Sequence, residues 1–172
     1  MTRSGSTPST DARLIDLRRE LHRRPEPGWR EFETTARLVE EIEAIGVDEL
    51  AVGREAYDPA DRMAVPDPET IEPWIERARE RDVRADVLER TRGGVTGCVA
   101  VLDRGAGPSV GLRVDIDGLL IAEATDEDHR PAEAGFRSAV DGTMHACGHD
   151  VHMTWGIAVL EAVAASDFQG RL

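Results

Sequence analysis

Several residue types are scarce or absent from this chain of 172 residues. Lysine is absent, so the 21 basic residues are all arginine, and 34 acidic residues leave a formal net charge of -13. Such a charge would repel phosphates, which excludes nucleic acid as a partner. An acidic, lysine-free composition suits a cytoplasm of concentrated salt, and it equally fits a GC-rich genome that favours arginine codons. Both interpretations stay open.

Disulfides and membrane spans are also excluded. The two cysteines, Cys98 and Cys147, are too few for a disulfide framework in a chain of this length. No apolar run approaches the ~18 residues that cross a bilayer, and residues 1–10 lack the apolar segment of a secretory signal. We therefore predict a cytoplasmic protein with no membrane partner, reduced thiols and a disordered tail over residues 1–10.

Helical spacing of apolar residues marks four segments. Leucines share one face over residues 11–25, and a second apolar stripe runs over 29–45, where Gly46 follows. A weaker helix begins near Thr70 or Pro73 inside the polar segment 53–93, which we interpret as a surface insertion. A fourth helix begins at Asp150. Between the first two, residues 22–28 predict a turn in which His22 and the arginines are solvated.

Strand patterns occur at three places. Residues 95–102 are almost continuously apolar, as in a strand covered on both faces. Residues 110–116 alternate, which predicts a second strand that carries Arg113, Asp115 and Asp117 on one face or at its exit. Residues 168–172 resemble the opening of a third. Helices followed by strands and a helix predict an α/β layered domain.

The densest chemistry lies in residues 144–152, which contain three histidines, a cysteine and an aspartate. Cys147 as a thiolate and His149 are suitable ligands for Zn²⁺ or another divalent ion. Gly148 can adopt backbone angles that turn both side chains toward one ion. Asp150 and the carboxylates of the preceding strand can then orient His149.

Other interpretations of this run remain open. His145 and His152 could ligate a metal, contact substrate or only pack. Cys147 could instead be a buried thiol among hydrogen-bonded histidines, or a nucleophile paired with His149. Asp115 and Asp117 are equally compatible with a functional site and with solvated strand ends in so acidic a chain.

Two segments together resemble a known family. Residues 112–119, with Asp115 and Asp117, followed by Cys147-Gly148-His149-Asp150, resemble the M20 metallopeptidase/amidohydrolase family and its N-acyl-amino-acid amidohydrolase branch. Residues 22–34 resemble the N-terminal signature of that branch, and the 53–93 segment is similar to its p-aminobenzoyl-glutamate-hydrolysing members. The resemblance covers residues 14–172.

The resemblance implies a catalytic domain with a central mixed sheet flanked by helices and a pair of divalent ions, zinc or manganese. Cys147 and His149 fall at ligand positions, and Asp117 falls where related enzymes orient a ligand. The implied reaction is hydrolysis of the amide bond of an N-acyl or aroyl amino acid, of the p-aminobenzoyl-glutamate type. A homodimer or a heteromer is expected for the complete enzyme.

The resemblance also implies parts that these 172 residues do not supply. These are a glutamate general base, further metal ligands and a lid or dimerisation domain. We therefore expect residues 11–172 to be the N-terminal part of a catalytic domain that is inactive alone, with an uncovered sheet edge that promotes self-association. Alternatives are a hippurate, indole-acetyl-amino-acid or dipeptide hydrolase, and a non-catalytic remnant or partner subunit.

Overall fold

The computed structural model describes residues 10–172, so residues 1–9 of the tail predicted over 1–10 lie outside the described residues. Thr10 already begins a helix. In chain order the elements are α1 (Thr10–Arg23), α2 (Phe32–Ile45), β1 (Glu49–Val52), α3 (Pro68–Glu80), α4 (Ala85–Arg90), β2 (Cys98–Val101), α5 (Arg130–Glu133) and α6 (His149–Ala164). Two 3₁₀ turns, Gly53–Glu55 and Pro59–Asp61, precede α3.

The main core lies between α1, α2 and α6, and it confirms the predicted apolar stripes. Helix α1 packs on α6, and α2 packs on α6 and on both strands. Leu17 and Leu21 of α1 pack in one buried cluster with Met153, Ile157 and Leu160 of α6, and Leu14 packs against this cluster partly buried. This packing places the first turn of α6 beside the end of α1.

Helix α2 begins three residues later than the predicted start at Trp29. Trp29 has a φ of +63°, a left-handed conformation that cannot continue into a right-handed helix. Instead, the carboxylate of buried Glu26 accepts hydrogen bonds from the backbone N–H groups of Glu33 and Thr34, at 3.1 and 2.7 Å. Gly46 ends the helix in the left-handed conformation, as predicted.

The polar segment 53–93 is more than a surface insertion. Helix α3 begins at Pro68 after Asp67, so Pro73 lies inside it rather than at its start. Ile71, Ile75 and Ala78 of this helix are buried in a second apolar cluster, which also contains Phe32 and Leu88. Sequence reasoning did not anticipate α4 or this cluster, because most of the segment is polar.

The sheet pairs β1 with β2 in antiparallel register, from Glu49 opposite Val101 to Val52 opposite Cys98. The predicted strand over 95–102 is confirmed only for Cys98–Val101. The prediction that both faces are covered is wrong, since Val99 is 49% exposed. Strand β1 was not predicted at all, because its four residues carry too short a pattern.

The predicted strand over 110–116 is wrong as a hydrogen-bonded element. Within the part of the chain that the structure describes, residues 111–117 make no backbone–backbone hydrogen bond. An alternating pattern identifies residues that suit a strand, but a strand also needs a neighbour to pair with.

Residues near the end of the described chain meet the sheet region. Arg171 bridges Asp103 in the antiparallel sense and Ser109 in the parallel sense, which agrees with a strand opening at 168–172. The element order and these pairings confirm the α/β layered class. No helix within residues 10–172 is long and apolar enough to cross a membrane.

Candidate metal centre

The first turn of α6 presents the histidine of the Cys-Gly-His-Asp run. Gly148 precedes the helix with a φ of +76°, and no atom lies within 4 Å of a Cβ built there. Glycine is therefore favoured at this position by conformation rather than by space. The turn directs His149 into the first residue of the helix, with His152 one turn later.

Three side chains form a group that suits a cation. The ligand atoms of Asp115, His149 and His152 lie within 4.8 Å of one another, and all three residues are half-buried. The rings of His149 and His152 stack with centroids 5.2 Å apart. Two imidazoles and a carboxylate are donors that zinc and manganese accept, so the chemistry of this set fits a divalent ion.

Asp117 orients His149. The Nδ1 atom of His149 lies 3.0 Å from the Asp117 carboxylate and 2.9 Å from its backbone carbonyl. Since both partners are acceptors, Nδ1 carries a proton, and Nε2 is the ring nitrogen that could bind a metal. A carboxylate that holds one imidazole nitrogen while the other binds metal is a recurrent arrangement in metal sites.

Backbone pairing on both sides fixes the segment that follows Asp117. The N–H of Gly118 donates to the Glu26 carbonyl at 2.7 Å, and Leu119 exchanges two hydrogen bonds with Met144 at 2.8 and 3.0 Å. These bonds join the turn after α1, the aspartate segment and the histidine-rich run. The structure thus brings together residues that lie far apart in sequence.

Cys147 and His145 lie outside the group formed by Asp115, His149 and His152. Cys147 is exposed and lies outside the three-residue group. His145 is buried, and neither ring nitrogen hydrogen-bonds to any of residues 10–172. Burial lowers the pKa of His145 to about 4, against a smaller opposing effect of the Asp150 charge, so the ring is neutral. A shared ion between Cys147 and His149 stays a prediction.

The Asp150 carboxylate makes no hydrogen bond with the His149 ring in the described chain, and it anchors the start of α6 to α1. This fully buried carboxylate lies 2.8 Å from Nδ1 of His22 and 2.7 Å from Nε of Arg18. The other nitrogen of His22 lies 2.9 Å from the buried Glu123 carboxylate, which also contacts His129 at 2.8 Å. Alternating acidic and basic side chains therefore connect the first turn of α6, which carries the candidate metal centre, to the end of α1.

The prediction that His22 is solvated is wrong, because the residue is 3% exposed. Burial lowers the pKa of His22, but hydrogen bonds to Asp150 and Glu123 outweigh it and raise the pKa. Because both ring nitrogens face carboxylates, both donate. Nothing local in the sequence marks Glu123 or His129 as members of this network.

A groove of about 990 Å³ opens beside the centre. Its lining includes the carboxylates of Glu31, Asp115 and Asp117. Burial raises the pKa of Glu31 to about 7, although the Thr96 hydroxyl donates to this carboxylate at 2.5 Å and opposes the rise. Two of these carboxylates, Asp115 and Asp117, also lie beside the histidines of the candidate metal centre.

Comparison with known proteins places this site in context. Residues 111–171 match the model of peptidase family M20/M25/M40. The chain is 43% identical over 147 residues to the indole-3-acetyl-aspartic acid hydrolase of Enterobacter agglomerans, an alignment that covers 85% of this chain and 34% of that protein. It is 42% identical over 148 residues to the A subunit of p-aminobenzoyl-glutamate hydrolase from Escherichia coli strain K12, with 86% and 34% covered.

The chain is similar to the M20 peptidases. Among solved M20-like structures, the aminobenzoyl-glutamate utilization protein of Klebsiella pneumoniae superposes with a TM-score of 0.69 at 29% identity, covering 93% of this chain and 34% of that one. A dinuclear metal-binding M20 peptidase of Bacillus subtilis gives a TM-score of 0.58 at 28% identity, with 93% and 33% covered. The predicted M20 resemblance and fold class are confirmed.

The alignments span about a third of these M20 relatives. The site residues that the sequence predicts fall into two sets in the structure. The structure groups Asp115, His149 and His152 and joins Asp117 to them, whereas Cys147, His145 and Asp150 lie outside that group. The role of each residue in metal binding or catalysis stays a prediction.

Proposed function

We propose that this chain forms part of a metal-dependent amidohydrolase that cleaves the amide bond of an N-acyl or N-aroyl amino acid, of the p-aminobenzoyl-glutamate type. The similarity to a relative named as the A subunit of p-aminobenzoyl-glutamate hydrolase supports the reaction class. A near-equal similarity to an indole-3-acetyl-aspartic acid hydrolase supports an indole-acetyl amino acid as the second candidate substrate.

The observation that carries the proposal is the orientation of His149. Asp117 holds the Nδ1–H of this ring, so Nε2 is free to donate its lone pair toward the side on which Asp115 and His152 lie. In the proposal these residues and Cys147 hold divalent ions, zinc or manganese. Two ions are proposed because a structural neighbour is a dinuclear metal-binding peptidase.

A bound divalent ion supplies a Lewis acid that polarises the amide carbonyl of the substrate. The residues of this chain provide the rest of the arrangement. Asp117 fixes the ring plane and tautomer of His149. Asp150 ties the first turn of α6 to His22, so the helix cannot shift away from the aspartate segment without breaking a buried ion pair. We propose catalysis in the complete protein, as a homodimer or heteromer in the cytoplasm.

Cobalt titration of the 172-residue chain tests the metal site. Cobalt bound by a thiolate shows a charge-transfer band that imidazole and carboxylate ligands do not produce. We expect the His149→Ala variant to bind cobalt at least tenfold more weakly, and Asp117→Asn to lose about tenfold. The Cys147→Ser variant should lose the charge-transfer band.

Cys98→Ser is the matched control, because burial raises the pKa of the Cys98 thiol to about 11 and keeps it protonated. Undiminished cobalt binding in His149→Ala would contradict the proposal. We also expect the isolated 172-residue polypeptide to leave p-aminobenzoyl-glutamate intact with added Mn²⁺, since the M20 resemblance implies a general base beyond these residues. Turnover by that polypeptide would refute this second expectation.

A further inference from the structure

We infer that Trp29 and Tyr57 form a subsite for the aromatic ring of an aroyl or arylacetyl substrate. The inference rests on the proposed function and adds the side chains that would select an acyl group with an aromatic ring over a short alkyl acyl group. It depends on two aromatic side chains that the metal site does not use.

Both rings line the groove that exposes Asp115 and Asp117. Their centroids lie 6.3 Å apart at an interplanar angle of 48°. Pro27 pairs with Gly118, the residue that follows Asp117, and Trp29 is two residues beyond this bridge. The aromatic pair and the candidate metal centre therefore share one groove.

The backbone of Trp29 is strained, which favours a role for this residue in ligand binding. Its φ of +63° is uncommon for a bulky residue and costs on the order of 1–3 kcal/mol. The surrounding chain has to accommodate it, because a Cβ at Gly94 would lie 2.4 Å from the Trp29 carbonyl oxygen. Strain of this kind persists where neighbouring structure enforces it, and it concentrates at ligand sites.

The Trp29 ring is held in place by the polar segment 53–93. Its Nε1–H donates to the Met63 carbonyl at 2.8 Å. The Arg62 guanidinium lies 5.4 Å from the ring centroid and donates to the carbonyls of Pro59 and Gly93, at 3.1 and 2.9 Å. A charged group over an indole ring stabilises its orientation.

Tyr57 is held in the same manner. Its hydroxyl donates to the Thr96 carbonyl at 2.8 Å. The polar atoms of Trp29 and Tyr57 are thus already bonded, and what remains to face the groove is apolar ring surface. Rigid aromatic surface beside a polar reaction centre suits a planar apolar group, which it binds by offset or edge-to-face contact.

Ligand binding tests this inference separately from catalysis. The probes are p-aminobenzoyl-glutamate and N-acetylglutamate, which share the glutamate and differ in the acyl group. Affinities for the 172-residue chain are measured by saturation-transfer NMR and calorimetry. We expect Trp29→Leu to weaken p-aminobenzoyl-glutamate binding about tenfold and to leave N-acetylglutamate binding unchanged.

Matched variants separate ring loss from damage to the fold. Trp29→Phe keeps an aromatic ring and should restore most of the affinity, and Tyr57→Phe, which keeps the second ring, should retain most of it. Trp74→Leu removes another tryptophan that stacks with an arginine, Arg77 at 5.2 Å, but it does not line the groove. This control should bind both probes as the parent does.

Equal affinity of Trp29→Leu and the parent for p-aminobenzoyl-glutamate would overturn the inference. So would an equal loss for both probes, or an absence of ring-dependent binding by the parent chain. Cobalt affinity measured on the same variants distinguishes the two proposals. Ring-dependent binding without cobalt binding at His149 contradicts the metal proposal and supports the subsite, and the reverse result contradicts only the subsite.

Discussion

At the scale of single residues, His22 shows how burial changes the meaning of a side chain. It lies between Asp150 and Glu123, within hydrogen-bonding distance of both carboxylates. The pKa values of both acids are lowered, since their hydrogen bonds to histidine outweigh the effect of burial. Removing one member of such a buried ionic network leaves the others uncompensated.

We predict that His22→Gln lowers the free energy of unfolding by about 3 kcal/mol near pH 6. Because the folded pKa of His22 is raised, its contribution is complete below about pH 6.5 and is lost as the pH rises through the folded value. Urea unfolding between pH 5 and 9 measures this difference. The deficit of the variant should shrink toward alkaline pH.

The test is the difference in unfolding free energy between His22→Gln and the parent at each pH, because other groups also contribute to the pH dependence of the parent. Burial also raises the pKa of Glu26 to about 8 and of Glu31 to about 7, so both carboxylates destabilise the fold as the pH rises. His152→Gln, measured with EDTA, is the control and should track the parent. A deficit in His22→Gln that is independent of pH would argue against a charged, paired His22.

At the scale of elements, glycines join the polar segment 53–93 to the rest of the domain. Gly94 has a φ of +72° and passes against the Trp29 carbonyl, so it needs both the left-handed conformation and the missing Cβ. Gly46, which ends α2 with a φ of +80°, needs only the conformation, since no atom lies within 4 Å of a Cβ there.

This pair predicts an ordered set of stabilities. Gly46→Ala should cost about 1–2 kcal/mol from the left-handed conformation alone. Gly94→Ala should cost more, because the added methyl group meets backbone atoms that cannot rotate away. Thermal unfolding of both variants gives the comparison. Equal losses of stability in the two variants would contradict this prediction, because they would show that the backbone at Gly94 can move away from the Trp29 carbonyl.

At the scale of the whole molecule, apolar side chains remain exposed beside the groove. Val99 is 49% exposed and Leu112 is 51% exposed, and residues 111–116 have no backbone–backbone hydrogen bond within the described chain. Unpaired edges with apolar side chains promote association between copies of a chain. The net charge of -13 opposes that association most strongly at low salt.

We predict that the 172-residue polypeptide self-associates, and that the association increases with salt concentration. Leu112→Glu should reduce it, since a carboxylate at the groove opposes burial. Ile15→Glu is the matched control because Ile15 is equally exposed, at 51%, but lies on α1 away from the groove. Sedimentation velocity over a range of concentrations measures both. A monomer at all concentrations would contradict this prediction.

The sequence by itself determined the features that depend on neighbours along the chain. Apolar spacing predicted α1, α2 and α6, and Gly46 and Gly148 lie where left-handed angles are needed. The run around His149 and the aspartate segment identified the candidate site and the M20 resemblance. These signals are local, since each lies within one short continuous segment of the chain.

Only the tertiary structure decided which distant groups meet. It buried His22 against Asp150, placed Asp117 rather than Asp150 on His149, and brought Trp29 to Tyr57. It also left residues 111–117 without backbone pairing in the described chain. Hydrogen-bond partners and burial depend on long-range packing, and no periodicity within a segment encodes which other segment will lie beside it.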